Sequence, residues 1–368
     1  MRIGVPKEIK VDEFRVAMTP AGVRELVQRG HEVLVEAGAG DASSYPDEAY
    51  RRAGARLVGS AEELWSASEL VVKVKEPVGK ELSLLRRDLV LFCYLHLAAN
   101  RETALALVES GASAIAYETV VGPDGSLPLL APMSEIAGRM APQVAARFLE
   151  REAGGKGMLL GGLAGVRPAT FVVLGAGVAG TNAAQIALGM GAQVVLLDRD
   201  VSKLAAAEKG LGRGVVTLAA TTEAIEEAVR GADVVVGAVL VPGAQAPKLV
   251  SNALVAEMAP GSVLVDISVD QGGCFEASRP STHEDPVVRV AGCLIYCVAN
   301  MPGALPLTAT RALTNSTLSY IEAIAEAGWK AAVQRDAGLR AGLNVTEGRV
   351  VHPAVAEALG VAPEDPWV

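Results

Sequence analysis

The sequence predicts an α/β protein built on doubly wound, mainly parallel sheets. Three observations predict it. Short apolar runs alternate with helical stretches along most of the chain, which is the pattern of βαβ units. A glycine-punctuated strand–turn–helix, Thr170 to Gly180, lies near its middle. The composition is 51% hydrophobic with 39 glycines and only 4% aromatic residues, which suits helices packed tightly on sheets.

The elements follow in order. Strands are expected at Arg2–Val5, Glu32–Glu36, Leu70–Val74, Leu89–Leu95 and Ala114–Tyr117. Helices are expected at Pro20–Arg29, Asp47–Ala53, Ala61–Ala67 and Arg101–Ser110. Thr19-Pro20 is a strong helix start, with Thr as N-cap and Pro at the first helical position, and Gly30 is the stop. Turn chemistry at Gly122 to Ser126 precedes a helix from about Ser134 to Arg151, whose apolar face carries Ala137, Met140, Ala141, Val144, Ala145 and Phe148. The glycine run Gly154–Gly157 contains Lys156 but does not satisfy G-x-x-x-x-G-K-[ST], so it reads as a loop.

The central stretch carries the clearest signal. The apolar run Phe171–Leu174 stops at Gly175, and Gly177 and Gly180 complete G-x-G-x-x-G. A helix follows, then the run Val194–Leu197, then Asp198. Gly175 permits the tight turn, Gly177 lets backbone approach a pyrophosphate, and Gly180 lets helix and strand close up. Asp198 stands where an acid accepts the ribose hydroxyls of NAD and repels a 2′-phosphate. Arg199 is the residue that would soften that preference for NAD over NADP. Further helices are expected at Val201–Lys209, Thr222–Val229 and Asn252–Ala256, and strands at Asp233–Gly237, Val263–Ile267 and Leu294–Val298. A six-strand doubly wound unit over about 130–303 follows. A long helical region from about Leu307 to Val333 comes next, and the remaining tail is too short to hold a core of its own and must dock elsewhere.

Several function classes are excluded. The net charge of −9 offers no basic footprint for nucleic acid or anionic membrane. No apolar stretch reaches the length of a spanning helix, and residues 1–7 show no signal-peptide pattern. Cys93, Cys274, Cys293 and Cys297 form no paired C-x-x-C and read as buried thiols of a reducing compartment, a cytoplasmic expectation. The four histidines, His31, His96, His283 and His352, form no H-x-x-x-H or tight cluster, so a zinc enzyme is not expected.

Candidate reactive residues sit at strand ends, where ligands bind in open α/β sheets. Lys73 and Lys75 share a face, and which of them reaches a pocket depends on where the strand stops. His96 ends the run Leu89–Leu95, Asp270 follows Val263–Val269, and Arg15 lies in the loop after the first strand. Each has a plain reading: a solvated lysine, a structural histidine, a turn-forming aspartate, and a surface pair between Arg15 and Glu13.

These residues carry a resemblance. Gly4–Glu8, Glu13–Ala17 with Thr19-Pro20, Val74–Pro77, Tyr94–Ala98, Asp270–Cys274 and Tyr296–Gly303 resemble the corresponding stretches of NAD-dependent alanine dehydrogenases. The likeness extends to about Trp329. The NAD-binding subunit of proton-translocating transhydrogenase shares the opening and the glycine fingerprint but lacks the His-Leu-Ala stretch around His96.

The resemblance implies two Rossmann-like domains joined by long helices with an active-site cleft between them. One is discontinuous, residues 1–129 plus 304–368, and binds substrate. The other, 130–303, binds NAD. It implies reversible oxidative deamination of L-alanine to pyruvate and ammonia in a homohexamer. Arg15 and Lys75 resemble the substrate-binding residues, and His96 and Asp270 the catalytic ones. Besides Gly175, Gly177 and Gly180, the cofactor contacts would be Ser134, Val178, Asp198, Lys203, Ala220, Val239, Leu240, Ile267, Ser268, Val269, Asp270, Arg279, Val298, Ala299, Asn300 and Met301. Ala220 replaces a common serine, Leu163-Ala164 departs from the family pattern, and Ala291 and Ile295 stand where histidines are common. The long helix has Glu322 and Glu326 but no histidine, so the magnesium site of some members is not expected. A transhydrogenase-like hydride carrier and a non-catalytic NAD-binding regulator remain as alternatives.

Overall fold

The computed structural model describes residues 1–239 and 246–367, which divide into two compact units: Met1–Met133 with Pro302–Val368, and Ser134–Met301. The first unit begins with β1 (Arg2–Val5), α1 (Pro20–Gln28), β2 (Glu32–Glu36), α2 (Asp47–Ala53), β3 (Arg56–Val58) and α3 (Ala61–Ala67). It continues with β4 (Leu70–Val72), β5 (Val90–Cys93), α4 (Arg101–Ser110) and β6 (Ser113–Ala116). The helix starts form where the side chains dictate them. Thr19 accepts the Gly22 N–H at 3.2 Å ahead of Pro20, and Ser60 accepts the Glu63 N–H at 3.2 Å.

Helix α5 (Ala131–Leu149) starts three residues before the expected Ser134 and leads into the second unit. There follow β7 (Thr170–Leu174), α6 (Val178–Gly189), β8 (Gln193–Asp198), α7 (Val201–Leu211), β9 (Val215–Ala219) and α8 (Thr222–Arg230). Next come β10 (Val234–Gly237), α9 (Asn252–Ala256), β11 (Val263–Asp266), β12 (Val287–Val290) and β13 (Cys293–Tyr296). The chain re-enters the first unit through α10 (Pro306–Ala327), α11 (Trp329–Arg335), α12 (Ala337–Gly342), β14 (Leu343–Thr346), β15 (Arg349–Val350) and α13 (Pro353–Leu359).

The first sheet has eight strands in the order β15-β14-β6-β5-β4-β1-β2-β3. β1 to β6 pair in parallel, while β14 runs antiparallel to β6 and β15 antiparallel to β14. The chain therefore leaves β1 in one direction toward β3, then crosses to β4 and proceeds the other way. The crevice beyond the C-terminal ends of β1 and β4 is its switch point. The tail does more than dock, because β14 and β15 extend this sheet.

The second sheet has seven strands, in the order β12-β13-β11-β10-β7-β8-β9, not the six expected. Two of the seven, β9 and β12, are not among the five strands located in the sequence. β9 has one buried residue and an otherwise solvent-facing pattern, so its apolar signal is weak. β12 pairs antiparallel only with β13, on the far edge. The central strands are nearly solid valine and leucine because both sheet faces are covered: Phe171, Val172, Val173, Val234, Val235, Val236, Val263, Leu264 and Val265 are all fully buried. Each such side chain contributes about 1.5–3 kcal/mol of burial free energy.

Several strand ends differ from expectation. β4 stops at Val72 and β5 at Cys93, although pairing continues as Lys73 N–H to Phe92 O at 3.2 Å and Tyr94 N–H to Val74 O at 3.0 Å. The long helical region breaks at Gly328, whose φ is 76°. Glu322 and Glu326 on α10 both pair with Arg29, at 3.1 and 2.8 Å. The four cysteines are all buried and none is disulfide-bonded; burial pushes the Cys274 thiol up to about 11. Among the described residues, no helix is long and apolar enough to cross a membrane.

Candidate active site

In the first unit the expected residues gather beyond the C-terminal edge of the sheet. Arg15 follows β1, Lys75 follows β4 and His96 follows β5. The surface-pair reading of Arg15 is wrong. Its side chain is 1% exposed and that of Glu13 is 0% exposed. Glu13 accepts from Arg15 Nε at 2.6 Å, from Nη2 at 2.5 Å and from the Arg15 backbone N–H at 3.1 Å. Arg15 Nη1 also lies 3.0 Å from Met133 Sδ. Burial would raise the Glu13 carboxyl, but the Arg15 charge outweighs it and holds the group below its usual value, with Lys75 assisting. Arg15, Glu13 and Lys75 thus form one charged cluster.

The loop carrying Arg15 is pinned from behind by hydroxyls of α10. Thr310 Oγ1 accepts the Val16 N–H and Thr314 Oγ1 accepts the Thr19 N–H, both at 3.1 Å. These threonines are buried, and a loop without ladder partners needs such acceptors.

The choice between the two lysines is decided by packing. Lys73 is fully buried, and its Nζ donates to Glu8 at 3.1 Å and Glu81 at 2.7 Å. Burial alone would lower its pKa; the two carboxylates outweigh this and keep it charged. Lys75 is only partly buried and its charge reaches Glu13. Lys73 is therefore a structural cation, and Lys75 is the lysine of the cluster.

His96 stands at the turn after β5 with φ 49°, a left-handed conformation that costs a non-glycine residue about 1–2 kcal/mol. Its imidazole is 41% exposed and lies parallel to the Tyr94 ring, with centroids 6.1 Å apart. Tyr94 is itself buried and its hydroxyl donates to Leu129 O at 2.5 Å. The sequence reading missed three members of this site: Tyr94, Met133 and Glu118. Glu118 accepts the backbone N–H groups of Leu95 and His96 and comes 3.8 Å from His96 Nδ1. Alternation offered a signal for Tyr94, two residues before His96. Nothing local pointed to Glu118.

In the second unit the switch point lies between β7 and β10. The glycine turn fits a dinucleotide. Gly175 has φ 108°, and a Cβ on Gly180 would sit 1.7 Å from Gly175 O. A Cβ on Gly177 would meet nothing within 4 Å, so open space lies where the pyrophosphate would sit, beside the first turn of α6. Val178 starts that helix and is exposed. Asp198, at the end of β8, accepts the Ala176 N–H at 2.7 Å and the Asp200 N–H at 2.8 Å. Its carboxylate has lone pairs beyond these two bonds for a ribose.

Several of the remaining cofactor candidates follow strand ends on the same edge. Ala220 follows β9, Val239 follows β10, and Ile267, Ser268 and Val269 follow β11. Val298, Ala299, Asn300 and Met301 follow β13. Lys203 on α7 and Arg279 are exposed, and Ser134 is partly buried on α5. Leu240 lies outside the described residues. Asp270 is exposed in a 3₁₀ turn, Val269–Gln271, so a turn-forming aspartate is also what the local geometry shows. Behind it the reading missed Asp266, which is fully buried and accepts from Ser268 N at 3.0 Å, Cys274 N at 2.8 Å and Ser278 Oγ. Burial raises its carboxyl, and these donors oppose the shift. Asp266 ties the Ser268–Ser278 loop to the sheet.

Comparison with known proteins agrees with this fold. The family described as alanine dehydrogenase/PNT, N-terminal domain, matches residues 4–137, and its C-terminal domain counterpart matches residues 141–353. The chain belongs to the alanine dehydrogenase/PNT family. Within this family it is 54% identical to an alanine dehydrogenase of Mycobacterium tuberculosis (strain CDC 1551 / Oshkosh), over 100% of this chain and 99% of the relative. It is 49% identical to that of Bacillus subtilis (strain 168), over 98% and 95%. A solved L-alanine dehydrogenase superposes with TM-score 0.95 at 52% identity, covering 98% of this chain and 99% of that one. A transhydrogenase from Sinorhizobium meliloti superposes with TM-score 0.81 at 29% identity, covering 96% and 100%.

Proposed function

We propose that this chain catalyses the reversible NAD-dependent oxidative deamination of L-alanine to pyruvate and ammonia. The observation that carries the reading is the agreement, along the whole chain and at about half identity, with alanine dehydrogenases. A transhydrogenase-like role is less well supported, since that likeness falls to 29%.

Residues 1–129 with 304–368 bind the substrate, and residues 130–303 bind the cofactor. Arg15 and Lys75 are the cations that hold the alanine carboxylate, Arg15 through the guanidinium edge that Glu13 leaves and Lys75 through its ammonium. Glu13 holds Arg15 rigid, so the grip loses little side-chain entropy on binding. Bound NAD supplies the two-electron acceptor for the hydrogen of the alanine α-carbon. His96 takes a proton from the water that adds to the oxidised carbon and returns it as ammonia leaves, which suits an imidazole near neutral pH. Asp270 supports the amino group. On the cofactor side, the glycine turn Gly175–Gly180 faces the pyrophosphate and Asp198 accepts the ribose hydroxyls. The protein works in the cytoplasm as a homo-oligomer, a hexamer by family resemblance, and without a resident metal.

The deciding experiment is an amino-acid panel read as NADH absorbance. L-alanine should reduce NAD to NADH far faster than it reduces NADP to NADPH. No turnover with L-alanine beside turnover with another amino acid would reassign the substrate.

A further inference from the structure

We propose that Glu118 is the positioning residue of His96: its carboxylate fixes the left-handed turn that carries the imidazole and orients Nδ1 inward, leaving Nε2 to face the substrate. The inference rests on the catalytic reading of His96 given above.

Three observations place Glu118 in this role. β5 and β6 are parallel neighbours, with Cys93 opposite Ala116. Beyond those ends the chain makes two turns side by side, one at Leu95–His96 and one at the 3₁₀ turn Tyr117–Thr119. Glu118 bridges them. It accepts the Leu95 N–H at 3.3 and 3.2 Å through its two oxygens, and the His96 N–H at 2.6 Å through Oε1. A carboxylate that takes two successive amides is strongly held.

The conformation of His96 needs such a hold. With φ 49° the residue sits in a region disfavoured for an L side chain, and it persists only where the surroundings impose it. The His96 carbonyl is engaged as well, accepting from Ala99 N at 2.9 Å and Asn100 N at 3.1 Å. The turn is thus tied on both sides.

The third observation concerns the ring. Glu118 Oε1, the oxygen that takes the His96 N–H, lies 3.8 Å from His96 Nδ1. Its side chain is 13% exposed against 41% for the imidazole, so the carboxylate lies behind the ring and the ring faces outward. A carboxylate facing one imidazole nitrogen favours the proton there and leaves the other nitrogen as the base. The Tyr94 ring lies parallel to the imidazole, 6° from coplanar in orientation, with centroids 6.1 Å apart. Apart from His96, Glu118 has one further imidazole within range of its charge. This is His352, whose buried Nδ1 lacks a hydrogen-bond partner.

The test is Glu118→Gln, which keeps a carbonyl oxygen for the amides and removes the charge. Its readouts are steady-state kinetics and nitrogen-15 NMR of histidine side chains. The chain has only four histidines, so the His96 signal is assignable by its loss in His96→Asn. In the native protein neutral His96 should be the Nδ1–H tautomer. In Glu118→Gln the Nε2–H tautomer should appear, kcat with alanine should fall by about 10–100-fold, and KM for NAD should stay unchanged. Glu118→Asp should recover part of the lost rate. A loss of kcat with an unchanged tautomer, or no change in either, overturns the proposal. If Glu118→Gln fails to fold, the native spectrum decides, because a native Nε2–H tautomer also overturns it. The NMR readout needs no turnover, so absence of alanine oxidation by the native protein would sink the enzymatic reading and leave this geometry independently measured.

Discussion

Glu13 grips the guanidinium of Arg15 through both carboxylate oxygens, and the two side chains are shut off from solvent. A pair in this setting behaves unlike a surface ion pair. Removing one partner leaves a buried charge with its main counterion gone. Glu13→Gln should therefore destabilise the protein by about 3–5 kcal/mol, read as a lowered thermal midpoint. The acid response follows from the same pair. The Glu13 carboxyl is held below its usual value in the folded state. Its contribution is complete above the unfolded value, about pH 4.3, and drains away as pH falls through the folded one. An unaltered midpoint in Glu13→Gln at pH 7 would refute the account.

Lys73 and Lys75 should separate cleanly. Lys73→Ala strands Glu8 and Glu81 in the interior, and a loss of about 3–5 kcal/mol is expected. Lys75→Ala should leave the melting temperature nearly unchanged and raise KM for alanine by about 10-fold or more, the loss expected for one charged hydrogen bond. Swapped phenotypes would mean that the lysine roles are reversed.

His96→Ala should leave NAD binding intact, measured by fluorescence titration with NADH, while turnover falls by roughly 100-fold or more. Near-normal turnover would remove His96 from the mechanism.

If Asp198 is the ribose acid proposed above, Asp198→Ala should narrow the preference for NAD over NADP, because its carboxylate would no longer accept ribose hydroxyls or repel a 2′-phosphate. The ratio of kcat/KM for the two cofactors is the measurement. An unchanged ratio would place the ribose elsewhere.

Whereas a substitution at Gly177 would act by filling the space the pyrophosphate needs, Gly180→Ala should weaken cofactor binding by displacing the turn itself. Its Cβ would meet Gly175 O at 1.7 Å, whereas a Cβ at Gly177 meets no protein atom within 4 Å. The backbone of the turn must move, and Kd for NADH should rise by about 10-fold or more, which is a loss of about 1.4 kcal/mol. Equal binding by Gly180→Ala and the native protein would contradict the close approach.

Much of this protein is legible in the sequence because much of it is locally encoded. α1 starts where Thr19-Pro20 says, α2, α3 and α4 occupy the expected residues, and the strand–glycine–helix of residues 170–189 forms as read. Caps, glycine turns and runs buried on both sheet faces depend on neighbours within a few residues, so their chemistry shows in the order of the letters. The acid at Asp198 belongs to this class, since strand, helix and strand lengths set its distance from the glycines.

Other features came only with the tertiary structure. β9, β12, β14 and β15 are edge or antiparallel strands whose identity depends on partners distant in the chain. Lys73 and Lys75 look alike in sequence, and only the folding of Glu8 and Glu81 over one of them separates their fates. Arg15 read as a possible surface residue because the burial of its loop is imposed by Thr310 and Thr314, nearly 300 positions away. Glu118 carries no motif at all. It meets His96 because β5 and β6 are parallel neighbours ending at one level, and a carboxylate can recognise a turn only after both strands have been laid side by side. The sequence by itself determined the fold class, the cofactor turn and the family; the long-range hydrogen bonds of the folded chain decided which charges are buried, which are paired and how the imidazole is held.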